Sequence, residues 1–262
     1  MGYIHGEQVE EQNRLLELNR ITNENFLEYL GNLHNKNICE VGSGLGVLTT
    51  IIANINKDSF ITGIEISKAN YEVALKNTHA CPNIKLLNDD FLDNKFREGE
   101  FDVTFCRYVL EHVSDAQKVV DEMIRITKKG GIIICQENDL YNGLIYPPVP
   151  NYHKMRRLFA KLQEDMGGDP FVGRKLYSFF SDKNLESISF GIKPEIHTQD
   201  DPEFPMWINN LQALLMGVKE KLIGNYGVDE AVLEQVCSDL GARIKKPIGT
   251  YLFQWNRIKV VK

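Results

Sequence analysis

The stretch Glu40-Val41-Gly42-Ser43-Gly44-Leu45-Gly46 limits what this chain can fold into more than any other. A short apolar lead-in, Asn37-Ile38-Cys39, precedes it and reads as a buried strand. After it, Val47 to Ala53 sets apolar residues every three or four positions, the period of a helix. The glycines therefore occupy a strand-to-helix turn. Their spacing removes the Cβ atoms that would hold a ligand off the backbone. The helix that follows presents free N–H groups and the positive end of its dipole. Glu40, at the end of the strand, sets a carboxylate beside the same turn.

These features predict a nucleotide-type ligand and bear on which one. A dinucleotide fold wants Gly-x-Gly-x-x-Gly. Here the third glycine comes one place early, at Gly46, and Val47 holds the fingerprint position. Glu40 would repel a pyrophosphate and welcome an ammonium group. S-adenosylmethionine, with its adenosine, sulfonium and amino-acid tail, fits this pattern better. The stretch resembles motif I of the class I S-adenosylmethionine-dependent methyltransferases, Glu/Asp-x-Gly-x-Gly-x-Gly. The resemblance implies S-adenosyl-L-methionine as cofactor, with Glu40, Gly42, Ser43, Gly44 and Gly46 around it.

The next segments continue the pattern. Phe60–Glu65 reads as strand two, and Glu65 lies about twenty residues past the glycines, where a carboxylate takes ribose hydroxyls. Ser67 suits the N-cap of a helix from Lys68 to about Thr78, and Ile66 would lie along the adenine face. After strand three, Ile84–Asn88, comes Asp89-Asp90-Phe91. The Asp90 carboxylate and the Phe91 N–H suit an adenine, with Asp89 as the alternative contact. Strand four is Phe101–Cys106, followed by Arg107 and then Leu110-Glu111-His112-Val113. Phe-Asp-Val followed by Leu-Glu-His-Val is similar to a segment common in small-molecule, UbiE-like methyltransferases, and the resemblance places Arg107 among the cofactor contacts. A helix over Ala116–Thr127, capped by Ser114 or Asp115, ends at Lys128-Lys129-Gly130-Gly131, and Ile132–Glu137 is strand five.

Near-continuous apolar strands alternating with helices predict a parallel sheet covered on both faces. The resemblance spans about Asn37 to Glu137. It implies an α/β, doubly wound, mostly parallel seven-stranded sheet of the Rossmann-like methyltransferase kind. An amphipathic helix from about Glu7 to Tyr29 precedes it. Residues 1–31 are therefore assigned as an N-terminal lid helix, and 32–262 as the methyltransferase domain. Helical insertions are expected at about 140–185 and 202–245, and substrate choice is assigned to them. Their helices are expected over Tyr152–Met166, Phe171–Lys183, Trp207–Gly224 and, behind Asp229, Glu230–Leu240. The last two strands are expected near Ser187–His197 and Thr250–Val261.

Composition narrows the function. A net charge of −6 and a pI near 5.6 argue against nucleic acid as a partner. Two basic groups stand out. One holds Arg243, Lys245, Lys246, Arg257, Lys259 and Lys262, and a smaller one lies in 153–175. Each reads either as a solvated edge or as a pocket for an anionic substrate. The cysteines at 39, 81, 106, 135 and 237 include no C-x-x-C pair and read as buried small side chains in a reducing compartment. No metal-ligand cluster is legible. With no apolar run near the roughly 20 residues of a membrane span, and no signal-peptide core, the expected location is cytoplasmic and away from membranes. A homodimer is an assembly this reading allows.

Methyl transfer from a sulfonium is an in-line displacement, so the protein mainly positions the pair and excludes water. An oxygen or nitrogen nucleophile often still needs a base. His112, Glu111, Glu137, Asp139 and His153 lie near the carboxyl ends of strands, and His112 is the best placed. Tyr3 and His5, with Arg14, would arrive from the lid, while Trp207 and Tyr146 suit an aromatic pocket. Three rival readings share parts of this pattern. A nicotinamide dehydrogenase would need other glycine spacing and a Tyr-x-x-x-Lys pair. A nucleic-acid or protein methyltransferase would share the core, but Asn/Asp-Pro-Pro-Tyr and a strongly basic face are missing. A non-catalytic S-adenosylmethionine-binding regulator would keep the cofactor motifs and lack an acceptor pocket.

Overall fold

Strand residues here alternate between two apolar faces, and that alternation explains the layering. A computed structural model of the chain describes residues 9–245 and 248–262. Helix α1 (Val9–Leu30) leads into β1 (Asn37–Val41), α2 (Val47–Ile55), β2 (Phe60–Ile64), α3 (Lys68–Thr78) and β3 (Ile84–Leu87). Then come β4 (Phe101–Arg107), α4 (Ala116–Ile126), β5 (Thr127–Glu137) and a short β6 (Leu144–Tyr146). The second half holds α5 (Tyr152–Asp165), α6 (Leu176–Phe180), β7 (Ser187–Thr198), α7 (Phe204–Gly217), α8 (Lys219–Tyr226), α9 (Glu230–Arg243) and β8 (Thr250–Val261).

The sheet runs β3-β2-β1-β4-β5, all parallel, and β8 joins β5 antiparallel. β7 pairs antiparallel along the whole of β8, while β6 pairs with residues 250–252 only. Since β5 and β7 both pair with 256–261, and β6 and β7 both pair with 250–252, β5 and β6 share one edge of β8. The seven expected strands are thus joined by a three-residue eighth. Chain order reverses between β1 and β4, so the crevice beyond their carboxyl ends is where such sheets bind ligands.

Ile38, Ile61, Val103, Phe105 and Ile134 point to one face, where α1 and α2 bring Phe26, Leu30, Leu48 and Ile52. Cys39, Val41, Cys106, Ile133 and Cys135 point to the other, against Val119, Val120 and Met123 of α4 and Phe180 of α6. A third core joins α5, α7, α8 and α9 to Tyr251, Phe253 and Trp255, the inward side of β8. This third core is the expected helical insertion folded over the sheet's end.

Three local expectations are corrected. Lys128-Lys129-Gly130-Gly131 does not cap α4 but opens β5. Gly130 N–H donates to Lys262 O, and Lys262 N–H donates back to Gly131 O, so pairing with the chain's last residue holds the segment extended. The helix expected over Phe171–Lys183 is a 3₁₀ turn, Val172–Lys175, followed by the five-residue α6. The one expected over Trp207–Gly224 divides at Val218 into α7 and α8. The caps of α3 and α9 match their sequence signals: Ser67 accepts Asn70 N–H and Asp229 accepts Ala231 N–H. Among the described residues no helix is long and apolar enough to cross a membrane.

α1 is welded to the sheet through Phe26, which is 0 % exposed and packs 5.8 Å from the Phe105 ring. Phe26→Ala should lower unfolding stability by about 3–5 kcal/mol, the usual penalty for a cavity of this size. Chemical denaturation checks this, and a loss below about 1 kcal/mol would mean that α1 contributes little to the fold.

Candidate active site

The glycine turn sits at the carboxyl end of β1, and Gly42, Gly44 and Gly46 all take positive φ. A Cβ placed on Gly44 would meet nothing within 4 Å, so this residue faces open space. Gly46 serves another purpose. A Cβ there would lie 3.0 Å from the Ala74 Cβ and 3.1 Å from Thr78, so the missing side chain lets α3 pack on the turn. Gly46 does not line the cavity, and its missing side chain serves the packing of α3.

Glu65 pins this turn. Its Oε2 accepts the Gly44 N–H at 2.8 Å and its Oε1 accepts the Ser67 N–H at 2.8 Å. Glu40 is buried and accepts the Thr49 hydroxyl. Burial pushes its carboxyl up to about 7, against the pull of Thr49 and Arg107. Arg107 ends β4 and reaches α1, where it donates to the Asn23 side chain at 2.7 Å and to Asn19, while its guanidinium lies 5.2 Å from the Phe26 and Tyr108 rings.

A cavity of about 600 Å³ opens from the turn. Glu40, Gly42, Ser43, Gly44, Glu65, Ile66, Asp89, Asp90, Phe91 and Arg107 all lie on its wall. At the rim, Asp90 accepts the Leu92 N–H and Asp89 accepts the Asp90 N–H, so both carboxylates already shape the loop. Farther in, the wall passes to Glu111 and His112. Glu111 is 4 % exposed and accepts the Asn138 amide at 2.7 Å and, more distantly, that of Gln163. His112 Nε2 lies 3.7 Å from Glu111 Oε1, and burial holds its imidazole below the ordinary histidine range despite that neighbour.

The far lobe is aromatic. Tyr108 and Trp255 stand 4.7 Å apart, Trp255 meets Phe253 edge-on, and Trp207 lies 5.5 Å from Tyr251. Trp207 was legible as a pocket residue. Tyr251, Phe253 and Trp255 were missed, although aromatics at every second position of a strand mark a single face. Arg156 was missed as well. α1 roofs the cavity with Arg14, Leu15, Leu18 and Asn19, and Arg14 bridges to Asn210 of α7.

Other predicted residues lie elsewhere. Glu137 is buried off the cavity, where its Oε1 accepts the N–H groups of Val109 and Leu110. Asp139 pairs with Arg174. His153 is exposed, and Tyr146 is 61 % exposed on the outer surface. Tyr3 and His5 lie outside the described residues, as does Lys246. The carboxyl-terminal basic group is largely structural: Arg243 donates to Pro147 O and Pro148 O, Arg257 to Gln136, Lys259 to Tyr29 O and Lys262 to Thr127 O. Contrary to the expectation of no grouped metal ligands, the fold gathers His197, Asp201 and Glu203, with ligand atoms within 4.8 Å of one another. His197 Nδ1 is already bonded to Asp201 at 2.6 Å.

Residues 39–135 match the family model described as a methyltransferase domain, and they carry the pinned turn and both carboxylates beside it. That stretch is similar to the methyltransferase-domain family. A demethylmenaquinone methyltransferase from Staphylococcus aureus (strain MRSA252) is 24 % identical over 160 residues, 61 % of this chain and 64 % of that protein. The match thus spans just under two thirds of that relative's length. Among solved structures, the YcgJ protein of Bacillus subtilis superposes with a TM-score of 0.60 at 16 % identity, covering 93 % of this chain and 98 % of that one. A Haemonchus contortus phosphoethanolamine N-methyltransferase 2, solved with phosphomonomethylethanolamine and S-adenosylhomocysteine, gives 0.57 at 16 % identity, with 92 % and 52 % covered. These likenesses show the shared methyltransferase fold.

Glu137 makes this region's stability pH-dependent. Burial first, then the charge of Glu111, raises its carboxyl to about 8. The folded state therefore holds a proton that the unfolded chain releases near 4.5, and stability falls as pH rises from there to about 8. Glu137→Gln keeps the acceptor oxygen for Val109 and Leu110 and should flatten that slope. Denaturation midpoints at pH 5 to 9 test this, and an unchanged slope in the variant would remove Glu137 as its source.

Proposed function

We propose that this protein transfers a methyl group from S-adenosylmethionine to a small-molecule acceptor held in the aromatic lobe. The observation that carries the reading is continuity: one cavity joins the glycine turn to a roofed lobe containing Glu111 and His112. A regulator that only bound the cofactor would not need that second lobe. The names of the similar proteins, a demethylmenaquinone and a phosphoethanolamine methyltransferase, support a small-molecule acceptor.

The residues present fit the cofactor. Gly44 leaves room for close approach, and the buried Ser43 hydroxyl has no partner among the described residues. Each Glu65 oxygen can accept a second bond, which suits ribose hydroxyls. Glu40 suits the ammonium of the amino-acid tail and Arg107 its carboxylate, while Asp90, the Phe91 N–H and Ile66 suit the adenine. When bound, S-adenosylmethionine supplies the methyl group on a sulfonium. The chain's own part is to align the acceptor, take its proton and keep water out. His112 is neutral at pH 7 because its pKa is depressed, so its imidazole is able to accept that proton. Glu111 would stabilise the resulting imidazolium. α1 serves as the lid.

Calorimetry should find S-adenosylhomocysteine bound and NADH not bound. Gly44→Val, which fills the open side and strains a left-handed φ, should abolish binding while circular dichroism stays native. Binding of NADH in place of S-adenosylhomocysteine would sink the reading.

A screen of metabolites for methyl acceptance supplies a substrate for the second test. With His112 as base, the acid limb of kcat/KM should lie below the ordinary histidine range, because the reactive neutral form is lost only at the depressed pKa. His112→Gln should reduce kcat by about 10²-fold or more. A variant with wild-type kcat and the same acid limb would exclude this role.

A further inference from the structure

Arg156 is a cation on the cavity wall that no carboxylate neutralises. It donates through Nη1 to the Tyr152 hydroxyl at 3.1 Å and through Nη2 to the Leu140 carbonyl. No carboxylate pairs with it among the described residues. The other arginines on the wall are accounted for. Arg14 is ion-paired with Glu11 at 2.7 Å, and Arg107 stands at the cofactor end within the influence of Glu40. The position of Arg156 is also fixed. Gly143 passes so close that a Cβ there would come within 2.7 Å of Nη1, and the Tyr152 ring lies beneath the guanidinium. A guanidinium carries five N–H donors, so bonds to Tyr152, Leu140 and Tyr251 still leave donors over for a ligand.

The surroundings say what kind of ligand. The same wall holds Trp207, Tyr251, Phe253, Trp255 and Tyr108, linked ring to ring. Two of their polar tips are already used: Trp255 N–H donates to Glu195, and the Tyr108 hydroxyl accepts from Gln136. The Tyr251 hydroxyl meets Arg156, and the Trp207 indole N–H is left without a partner among the described residues, so the wall offers one polar donor among ring faces and edges that suit another ring. Helix α5 sets the scale. Arg156, Phe159 and Gln163 all line the cavity, and Gln163 touches Glu111. Seven residues of helix separate Arg156 from Gln163, a rise of about 10 Å. The lobe thus has a positive end at Arg156 and a negative end at Glu111, roughly that far apart.

We infer that the methyl acceptor is a ring-bearing acid, its anionic group held by Arg156 and its nucleophile presented at the Glu111–His112 end. The inference rests on the methyl-transfer reading. The two fixed charges orient such a molecule, since an anion is drawn to Arg156 and repelled by Glu111. An amine of the same shape would meet Arg156 unfavourably.

Both tryptophans of the chain, Trp207 and Trp255, lie on this wall, so their fluorescence reads occupancy directly. The probes are biphenyl-4-carboxylate, its neutral carboxamide and biphenyl-4-methylamine, titrated with S-adenosylhomocysteine present. The carboxylate should bind at least about tenfold tighter than either analogue, as a charge-assisted bidentate contact implies. Arg156→Gln should erase that preference while calorimetric affinity for S-adenosylhomocysteine stays as in the wild type. Arg156→Lys, which keeps the charge, should retain part of it. Equal binding of carboxylate and carboxamide by the wild type, a measurement that needs no variant, would overturn the inference. So would a preference surviving in Arg156→Gln. Loss of S-adenosylhomocysteine binding by the wild type would instead defeat the methyl-transfer reading.

Discussion

The Glu65 carboxylate is the contact on which the cofactor end of the molecule depends. Each of its oxygens takes one backbone N–H, from Gly44 on one side and Ser67 on the other. Two further donors of the turn, Gly42 N–H and Ser43 N–H, converge on the carbonyl of Ile64, the last residue of β2. The loop after β1 is therefore strapped to the end of β2 by three bonds within a few residues, while the Ser67 N–H fixes the Glu65 side chain. A buried carboxylate without such donors would be costly to keep charged. Because the straps are local, the left-handed glycines are held without help from the distant helical cap.

Charge within the cavity follows a second rule. Two of its arginines are met by amides, hydroxyls and carbonyls: Arg107 by Asn19 and Asn23, Arg156 by Tyr152 and Leu140. Glu111 is likewise held by Asn138 and Gln163. Neutral partners fix a charged group in place and leave its charge uncancelled for a ligand. The Arg107 bonds also tie α1 to β4, so the roof of the cavity and its electrostatics share residues.

Much of the core was legible because its signals are short-range. The glycine spacing, Glu65 at the end of β2, Ser67 and Asp229 as caps, and the apolar strands from Asn37 to Glu137 each rest on neighbours within a turn or a strand. The misread elements involve partners far along the chain. Lys128 to Gly131 looks like a helix stop, yet pairing with Lys262 draws it into β5. For Gly46 the fold adds a role that spacing does not show, since Ala74 and Thr78 pack against it. The basic residues near the carboxyl terminus look like a patch, yet most bond to carbonyl or amide oxygens from other segments.

By itself the sequence determined the sheet's parallel half, the cofactor turn and the class of chemistry, since hydrophobic period, glycine position and a carboxylate at a strand end act over a few residues. Tertiary structure alone decided the aromatic lobe. Tyr108, Arg156, Trp207 and Tyr251 come from a strand end, two helices of the cap and the last strand, and nothing in their spacing brings them together. Antiparallel insertion of β8 beside β5 carries Tyr251, Phe253 and Trp255 under the cap helices, and burying that shared apolar face closes the cavity.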